Sequence, residues 1–183
     1  MIYFCEMQQK IVLIGGPGTG KTSVLNALIQ KGFFCMHEVS REVTLKAKED
    51  GIDQLFLTAP LLFSEKLLEG RERQYHKASE TAEEIVFFDR GIPDIIGYLN
   101  NANQPFFDSL INTAENHKYD FVFILPPWKE IYKTDNERRE DFFEATKLFK
   151  AINDAYIRLG YQTIEVPKLT VKERIQFILD HIK

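Results

Sequence analysis

Cysteine is scarce in this chain of 183 residues: only Cys5 and Cys35 are present. Two thiols cannot form a disulfide framework or a metal-ligand set, and the expectation is two free thiols in a reducing cytosol. Positive charge is not in excess either, with 23 Lys and Arg against 27 Asp and Glu and a net charge of -4. That balance argues against nucleic acid or an anionic membrane as the main partner. An anionic ligand would have to be met by a local basic cluster. No apolar run approaches the ~20 residues that span a bilayer. The opening Met1–Cys5 is short for a signal sequence and lacks a basic leader, so the expected location is cytoplasmic. Internal repeats, low-complexity tracts and linkers are missing. The length suits one domain over residues 1–183, and the 44% hydrophobic and 27% charged shares are ordinary for a soluble globular protein.

Three continuous apolar runs are present: Ile11–Ile14, Ile85–Phe88 and Phe121–Leu125. Continuous rather than alternating patterning marks strands covered on both faces of a parallel sheet. Phe33–Met36 and Gln162–Val166 are further strand candidates. Between the strands lie helical periods. Phe142, Ala145, Phe149, Ile152, Tyr156 and Leu159 recur at three- or four-residue spacing, stopped by Gly160. Val171, Ile175, Ile178 and Ile182 form another set, opened by Thr170 and Glu173 as a capping box. Strands alternating with helices predict an α/β fold with a mainly parallel five-stranded sheet.

Between the first strand and a helical pattern through Val24, Leu25, Leu28 and Ile29 lies Gly15-Gly16-Pro17-Gly18-Thr19-Gly20-Lys21-Thr22, followed by Ser23. It matches the pattern G-x-x-x-x-G-K-[ST]. Its glycines let the backbone curl with N–H groups pointing inward, and the following helix adds its positive dipole end. Lys21 can reach the outer phosphates of ATP or GTP, and the Thr22 hydroxyl can bind Mg²⁺. Gly15–Ser23 are therefore the expected nucleotide-binding residues.

Phosphoryl transfer also requires a carboxylate near the metal and cations around the transferred group. Asp89 ends the third strand at a carboxyl edge of the sheet, and with Thr22 it is the expected Mg²⁺ pair. Its other reading is a helix cap. Arg90 follows it, where mechanical ATPases carry a water-activating glutamate, and the guanine-reading signature Asn-Lys-x-Asp is absent. A small-molecule kinase remains. Glu38 is a candidate base for a substrate hydroxyl or a solvated acid at a helix start, and Arg41 meets an acceptor or a surface ion pair. The charged stretch Trp128–Arg139 suits a lid over about 128–141, in which Arg138 and Arg139 stabilise the transferring group or simply face solvent. The helical stretch Leu61–Lys77 walls an acceptor pocket with an arginine, Arg71 or Arg73, or turns both to solvent, the default for arginine. His76 is a structural or a catalytic histidine, the former being the ordinary case, and the loop Val166–Leu169 shares the cradle's edge, within reach of a base.

The cradle, the segment HEVSREV (residues 37–43), VFFDRGIPDIIGYL (86–99) and LPPWKEIYKTDNERREDF (125–142) together resemble a predicted ATPase and kinase family related to the ribosylnicotinamide kinase domain of NadR-type proteins. The segment LLFSEKLLEGRERQYHKA with FFDRG is also similar to thymidylate-kinase-like proteins. This resemblance runs from about Lys10 to Pro167. It implies a three-layer P-loop kinase sheet with the cradle strand beside the Asp89 strand and a helical lid. It also implies nucleotide at Gly15–Thr22, Mg²⁺ near Thr22 and Asp89, and lid arginines at Arg138 and Arg139. The expected activity is transfer of the γ-phosphoryl group of ATP to a small hydroxyl-bearing acceptor such as a nucleoside. Catalysis would fall to Lys21, Glu38, Asp89, Arg138 and Arg139. An ATPase or a nucleotide-dependent switch with no acceptor is the alternative.

Overall fold

The computed structural model describes residues 8–131 and 142–182. Arg138, Arg139, Cys5 and the greater part of the expected lid lie outside the described residues.

Five strands form one sheet: β1 (Gln9–Ile14), β2 (Phe34–Met36), β3 (Ile85–Asp89), β4 (Phe121–Ile124) and β5 (Thr163–Glu165). Their order is β2-β3-β1-β4-β5, and all neighbours run parallel. Each of the five apolar runs predicted as a strand becomes one. β1 is central, paired with β3 through Val12 opposite Phe88 and with β4 through Val12 opposite Val122. The helices are α1 (Lys21–Gln30), α2 (Val39–Glu49), α3 (Leu55–Thr58), α4 (Pro60–Ser79), α5 (Ile92–Asn101), α6 (Asp108–Asn116), α7 (Phe142–Arg158) and α8 (Val171–His181).

Because successive strand residues point to opposite faces, β1 feeds two cores. Ile11 and Leu13 pack with Phe87, Phe123 and the apolar faces of α1 and α8. Val12 and Ile14 pack on the other face with Phe88, Val122 and the Leu148–Ile152–Tyr156 stripe of α7. Helices therefore cover both faces, which explains why the strands are apolar throughout. A third cluster joins Val39 of α2, Leu67 of α4 and Ile95 of α5 outside this sandwich.

Local chemistry sets the boundaries. Thr170 and Glu173 cap α8 reciprocally, the Thr170 amide donating to the Glu173 carboxylate at 3.0 Å and the Thr170 hydroxyl accepting from the Glu173 amide. Gly160 follows α7 at φ 84°, a left-handed stop. Helix α5 lies closely on α7: a Cβ on Gly97 would stand 2.6 Å from the Ile152 Cα. Among the described residues no helix is long and apolar enough to cross a membrane.

Since β1 is flanked by β3 on one side and β4 on the other, chain connections depart in both directions from the sheet's centre. Ligands gather at the carboxyl ends of strands at such a switch point. The loop after β1, residues 15–20, lies there, and so does Asp89 at the end of β3.

Candidate functional site

The cradle is a left-handed backbone. Gly15, Gly18 and Gly20 have φ of 143°, 73° and 79°, a region that L side chains rarely enter. Gly15 has a second reason to be glycine: a Cβ there would stand 2.7 Å from the Leu125 carbonyl oxygen. Thr19 is buried and its hydroxyl donates to the Gly16 carbonyl at 3.0 Å, closing the turn before α1 starts at Lys21. The result is a glycine-rich loop ending on a helix N-terminus, a place that suits an anion.

Lys21 is buried and its ammonium pairs with Asp89 across the β1–β3 boundary. Burial is the main influence lowering the lysine's pKa and the Arg90 guanidinium adds to it, while Asp89 opposes them. Thr22 and Ser23 are exposed and line the same cavity as Lys21 and Asp89. The Asp89 carboxylate at the strand end and the Thr22 hydroxyl at the helix start line one cavity, and both are hard-oxygen ligands of the kind Mg²⁺ takes. When Mg²⁺ is bound, Thr22 and Asp89 would hold it, and it would neutralise phosphate charge.

Beyond the cradle the predicted residues converge on Glu38, which immediately precedes α2. Arg90 donates to the Glu38 carboxylate through Nε and to the Gly15 carbonyl through Nη1 at 3.1 Å. The Arg71 Nη2 lies 3.5 Å from Glu38 Oε1, and Arg71 Nη1 donates to the Gly91 carbonyl at 2.6 Å. Burial alone would raise the Glu38 pKa. Arg90, Arg71 and Lys21 together outweigh it and hold the carboxyl down at about 2. Oε1 is buried beside Arg71 and, among the described residues, accepts no hydrogen bond.

Arg90 itself is held in the left-handed region at φ 73°. Its guanidinium lies 3.5 Å from Asp94 Oδ1 and 5.2 Å from the Tyr98 ring centroid. Asp94, wholly buried, takes hydrogen bonds from the Gly91 amide at 2.9 Å and the Tyr156 hydroxyl at 2.7 Å. A buried polar network, anchored in α5 and α7, thus fixes the arginine that fixes Glu38.

Two cavities meet here. The larger, about 800 Å³, runs along Gly16–Ser23 to His37, Glu38, Arg41, Asp89 and Arg90, and on to Trp128, Leu169 and Arg174. The smaller, about 350 Å³, is walled by Phe56, Phe63, Leu67, Ile95 and Leu99, with Thr44, Ser64, Arg71, Tyr98 and Gln104 as its polar residues. Glu38, Ser40 and Arg90 line both.

The structure thus brings Lys21, Thr22, Asp89 and Glu38 around one space, with Arg41 exposed at its rim. The sequence default for arginines on Leu61–Lys77 fails at Arg71, which is only 3% exposed and lines the smaller cavity. Arg73 and His76 stay exposed. Leu169, at the end of the expected base loop, does line the larger cavity. The buried placements of Asp94 and Arg174 escape sequence reasoning. Only Asp94, three residues after Gly91 at a helix start, leaves a trace there.

Comparison with known proteins extends this geometry. A deoxyadenosine kinase from M. mycoides, solved with products bound, superposes with a TM-score of 0.67 at 18% identity, covering 95% of this chain and 98% of that one. A NadR protein in complex with NR gives 0.72 at 17%, over 96% of this chain and 49% of that chain. Shikimate kinase from Acinetobacter baumannii, in complex with shikimate, gives 0.62 at 16%, over 97% and 94%. At these identities the likeness establishes the fold. No curated protein matches the sequence. The AAA domain profile matches residues 10–174, nearly all of the described chain, and the protein belongs to the AAA domain family of α/β P-loop proteins.

Proposed function

We propose that the protein is an ATP- and Mg²⁺-dependent kinase that transfers the γ-phosphoryl group to the hydroxyl of a small uncharged metabolite of nucleoside type. The observation that carries this reading is the junction of two cavities at Glu38, whose Oε1 has no hydrogen-bond donor among the described residues. The larger cavity, with its amide cradle and Lys21, suits a triphosphate. The smaller suits an alcohol whose hydroxyl points at Oε1.

In this reading the cradle amides and Lys21 hold the donor phosphates. Glu38 Oε1 accepts a hydrogen bond from the acceptor hydroxyl and orients it towards phosphorus. The oxygen–phosphorus bond forms, the bond to the bridging oxygen of ADP breaks, and the hydroxyl proton passes to Glu38 late. A carboxylate held ionised is suited to that role, because a loose transition state asks for positioning before proton removal. Arg138 and Arg139 are proposed to complete the charge neutralisation from the lid.

The acceptor's class follows from the smaller cavity. Its walls are largely aromatic and aliphatic, and both of its arginines already serve Glu38, the Gly91 carbonyl and Asp94. A planar, uncharged ring bearing an alcohol fits those walls better than a phosphate or carboxylate ester. The volume of about 350 Å³ is of the size used for small ligands.

The test is release of ADP by purified protein with MgATP, with and without a panel of nucleosides, nucleoside monophosphates and hydroxy acids. Strong stimulation by an uncharged nucleoside is expected. Equal release with every compound would instead support an ATPase or a nucleotide switch. A thermal shift runs beside it: a ligand at 100 times its dissociation constant adds ~2.7 kcal/mol of stability. A Lys21→Ala chain that retained full ATP affinity and turnover would refute the donor assignment.

A further inference from the structure

Two histidines that the phosphate chemistry leaves unused meet at the other end of the sheet. His76 lies in the last turn of α4, and His117 is the residue that closes α6. Helix α4 leads to the start of β3 and His117 shortly precedes β4, so the pair sits at the amino edge, opposite the cradle. Their Nε2 atoms are 3.4 Å apart, with the rings at 81° to each other. His76 is exposed and His117 half-buried.

Hydrogen bonding fixes the proton of one ring. The Thr113 carbonyl lies 2.8 Å from His117 Nδ1, and a carbonyl only accepts, so that nitrogen is the donor. In the neutral ring the Nε2 of His117 is then a bare lone pair, directed at His76. A bond of this kind, from the second ring nitrogen to a backbone carbonyl, is what orients imidazoles that ligate metals. The Tyr75 ring packs edge-on against His117 with centroids 4.8 Å apart, and the Tyr75 hydroxyl donates to the Lys118 carbonyl at 2.7 Å. The His117 ring is thus held in place before any ligand arrives.

A direct hydrogen bond between the two nitrogens would be long at 3.4 Å. The spacing suits a shared ion better. Zn–N bonds of ~2.0–2.1 Å at a tetrahedral angle put two ligating nitrogens about 3.3–3.4 Å apart, whereas a right angle gives about 2.9 Å. Imidazole nitrogen is a donor that Zn²⁺ takes, while Mg²⁺ prefers oxygen. Among the described residues no group of three or more His, Cys, Asp or Glu gathers to hold a metal. Two histidines therefore supply half of a tetrahedron, and water completes it.

We propose that His76 and His117 form a Zn²⁺ site that staples the end of α4 to the segment entering β4. The metal takes both Nε2 lone pairs, and each neutral ring keeps its one proton on Nδ1. Helix α4 also carries Arg71, so the staple anchors the helix that reaches Glu38. The site stands without any reading of the cradle.

The test uses the untagged full chain, stripped of metal, in a Cys5→Ser background that removes a competing thiol. ZnSO₄ alone is titrated by calorimetry, with a thermal shift beside it. One Zn²⁺ per chain is expected, with a raised melting temperature. His76→Ala and His117→Ala should each weaken Zn²⁺ by at least about tenfold, since losing even a group that orients a ligand costs about 10–100-fold. His76 is exposed, so His76→Ala should melt like the native chain when no metal is present, which separates lost ligation from lost folding. A large excess of Mg²⁺ should leave Zn²⁺ binding unchanged. Three results would overturn the proposal. One is Zn²⁺ that gives neither heat nor a melting shift, and another is an affinity that falls by less than about tenfold in either variant. The third is displacement by Mg²⁺, which places the ion on oxygen ligands such as Thr22 and Asp89 instead.

Discussion

Replacing Glu38 by glutamine keeps the side chain's shape and removes its charge from between Arg90 and Arg71. Two effects compete at this position. Burial makes the carboxylate expensive, and the arginines with Lys21 make it favourable. The second wins, since the pKa falls from the ordinary 4.5 to about 2. At ~1.4 kcal/mol per pKa unit, that gap amounts to about 3 kcal/mol of stability carried by the ionised form. Breaking a buried ion pair by removing one partner costs a similar ~3–5 kcal/mol, because the arginines are left uncompensated. For a chain of this size, about 3 kcal/mol corresponds to a fall in Tm of about 6–12 °C.

The sign is fixed by the direction of the shift. A depressed carboxyl contributes fully above its unfolded pKa of 4.5 and loses that contribution as pH falls towards about 2. Urea unfolding of the native chain and of Glu38→Gln should therefore differ by about 3 kcal/mol at pH 7. The gap should be the same at pH 6 and narrow progressively below pH ~4.5. Two results would refute the reasoning: a variant within ~0.5 kcal/mol of native at pH 7, the range of ordinary surface changes, or a gap that stays constant through the acid range. The same variant should lose acceptor phosphorylation while keeping ATP-induced stabilisation, because Glu38 is assigned to the hydroxyl and not to the phosphates.

Gly97→Ala should destabilise by about 1–3 kcal/mol or more, as in overpacked cores, because the added methyl meets the Ile152 backbone at 2.6 Å; thermal unfolding reads it. Tyr156→Phe should cost about 1–3 kcal/mol, since the Asp94 carboxylate, wholly buried, loses the 2.7 Å hydrogen bond from that hydroxyl. If Asp94 positions Arg90, the variant should also lower kcat with the ATP affinity little changed. In a Cys5→Ser background, Cys35 should resist thiol reagents at pH 8 until urea opens the fold, because burial pushes its thiol up to about 12. Rapid labelling of the folded protein would contradict that burial.

The sheet was legible because its strands are covered on both faces, so the apolar runs are continuous and stand out from the amphipathic helices between them. The cradle was legible because its glycines, lysine and threonine are contiguous, and the backbone conformation they permit is local. Thr170 with Glu173, and Gly160 after α7, declare helix ends for the same reason. Strand order is different in kind. That β3 lies beside β1 depends on which helices pack on which face, and periodicity carries no such information; here it came from resemblance.

The site beyond the cradle was legible in proportion to its locality. Asp89 could be placed because a strand carries it to the ligand edge. Arg71 could be named only as one of two readings, because a charged residue on a long helix is ordinarily solvated, and only the fold shows it bound to Glu38 and the Gly91 carbonyl. Arg174 is the extreme case, separated from its Thr19 partner by 155 residues. What unites the illegible residues is that each is a buried charge whose partner comes from another element. A helix can bury an arginine at bearable cost only when acceptors are supplied from elsewhere. Those acceptors are the carbonyls of Gly15, Thr19 and Gly91, on loops that leave β1 and β3 at the carboxyl edge. The arginines are thus consequences of the loops: the same open backbone that offers amides to phosphate leaves carbonyls that need donors. Arg90, Arg174 and Arg71 supply them. Removing any one of the three should therefore disturb the cradle or the Glu38 carboxylate before it disturbs the sheet.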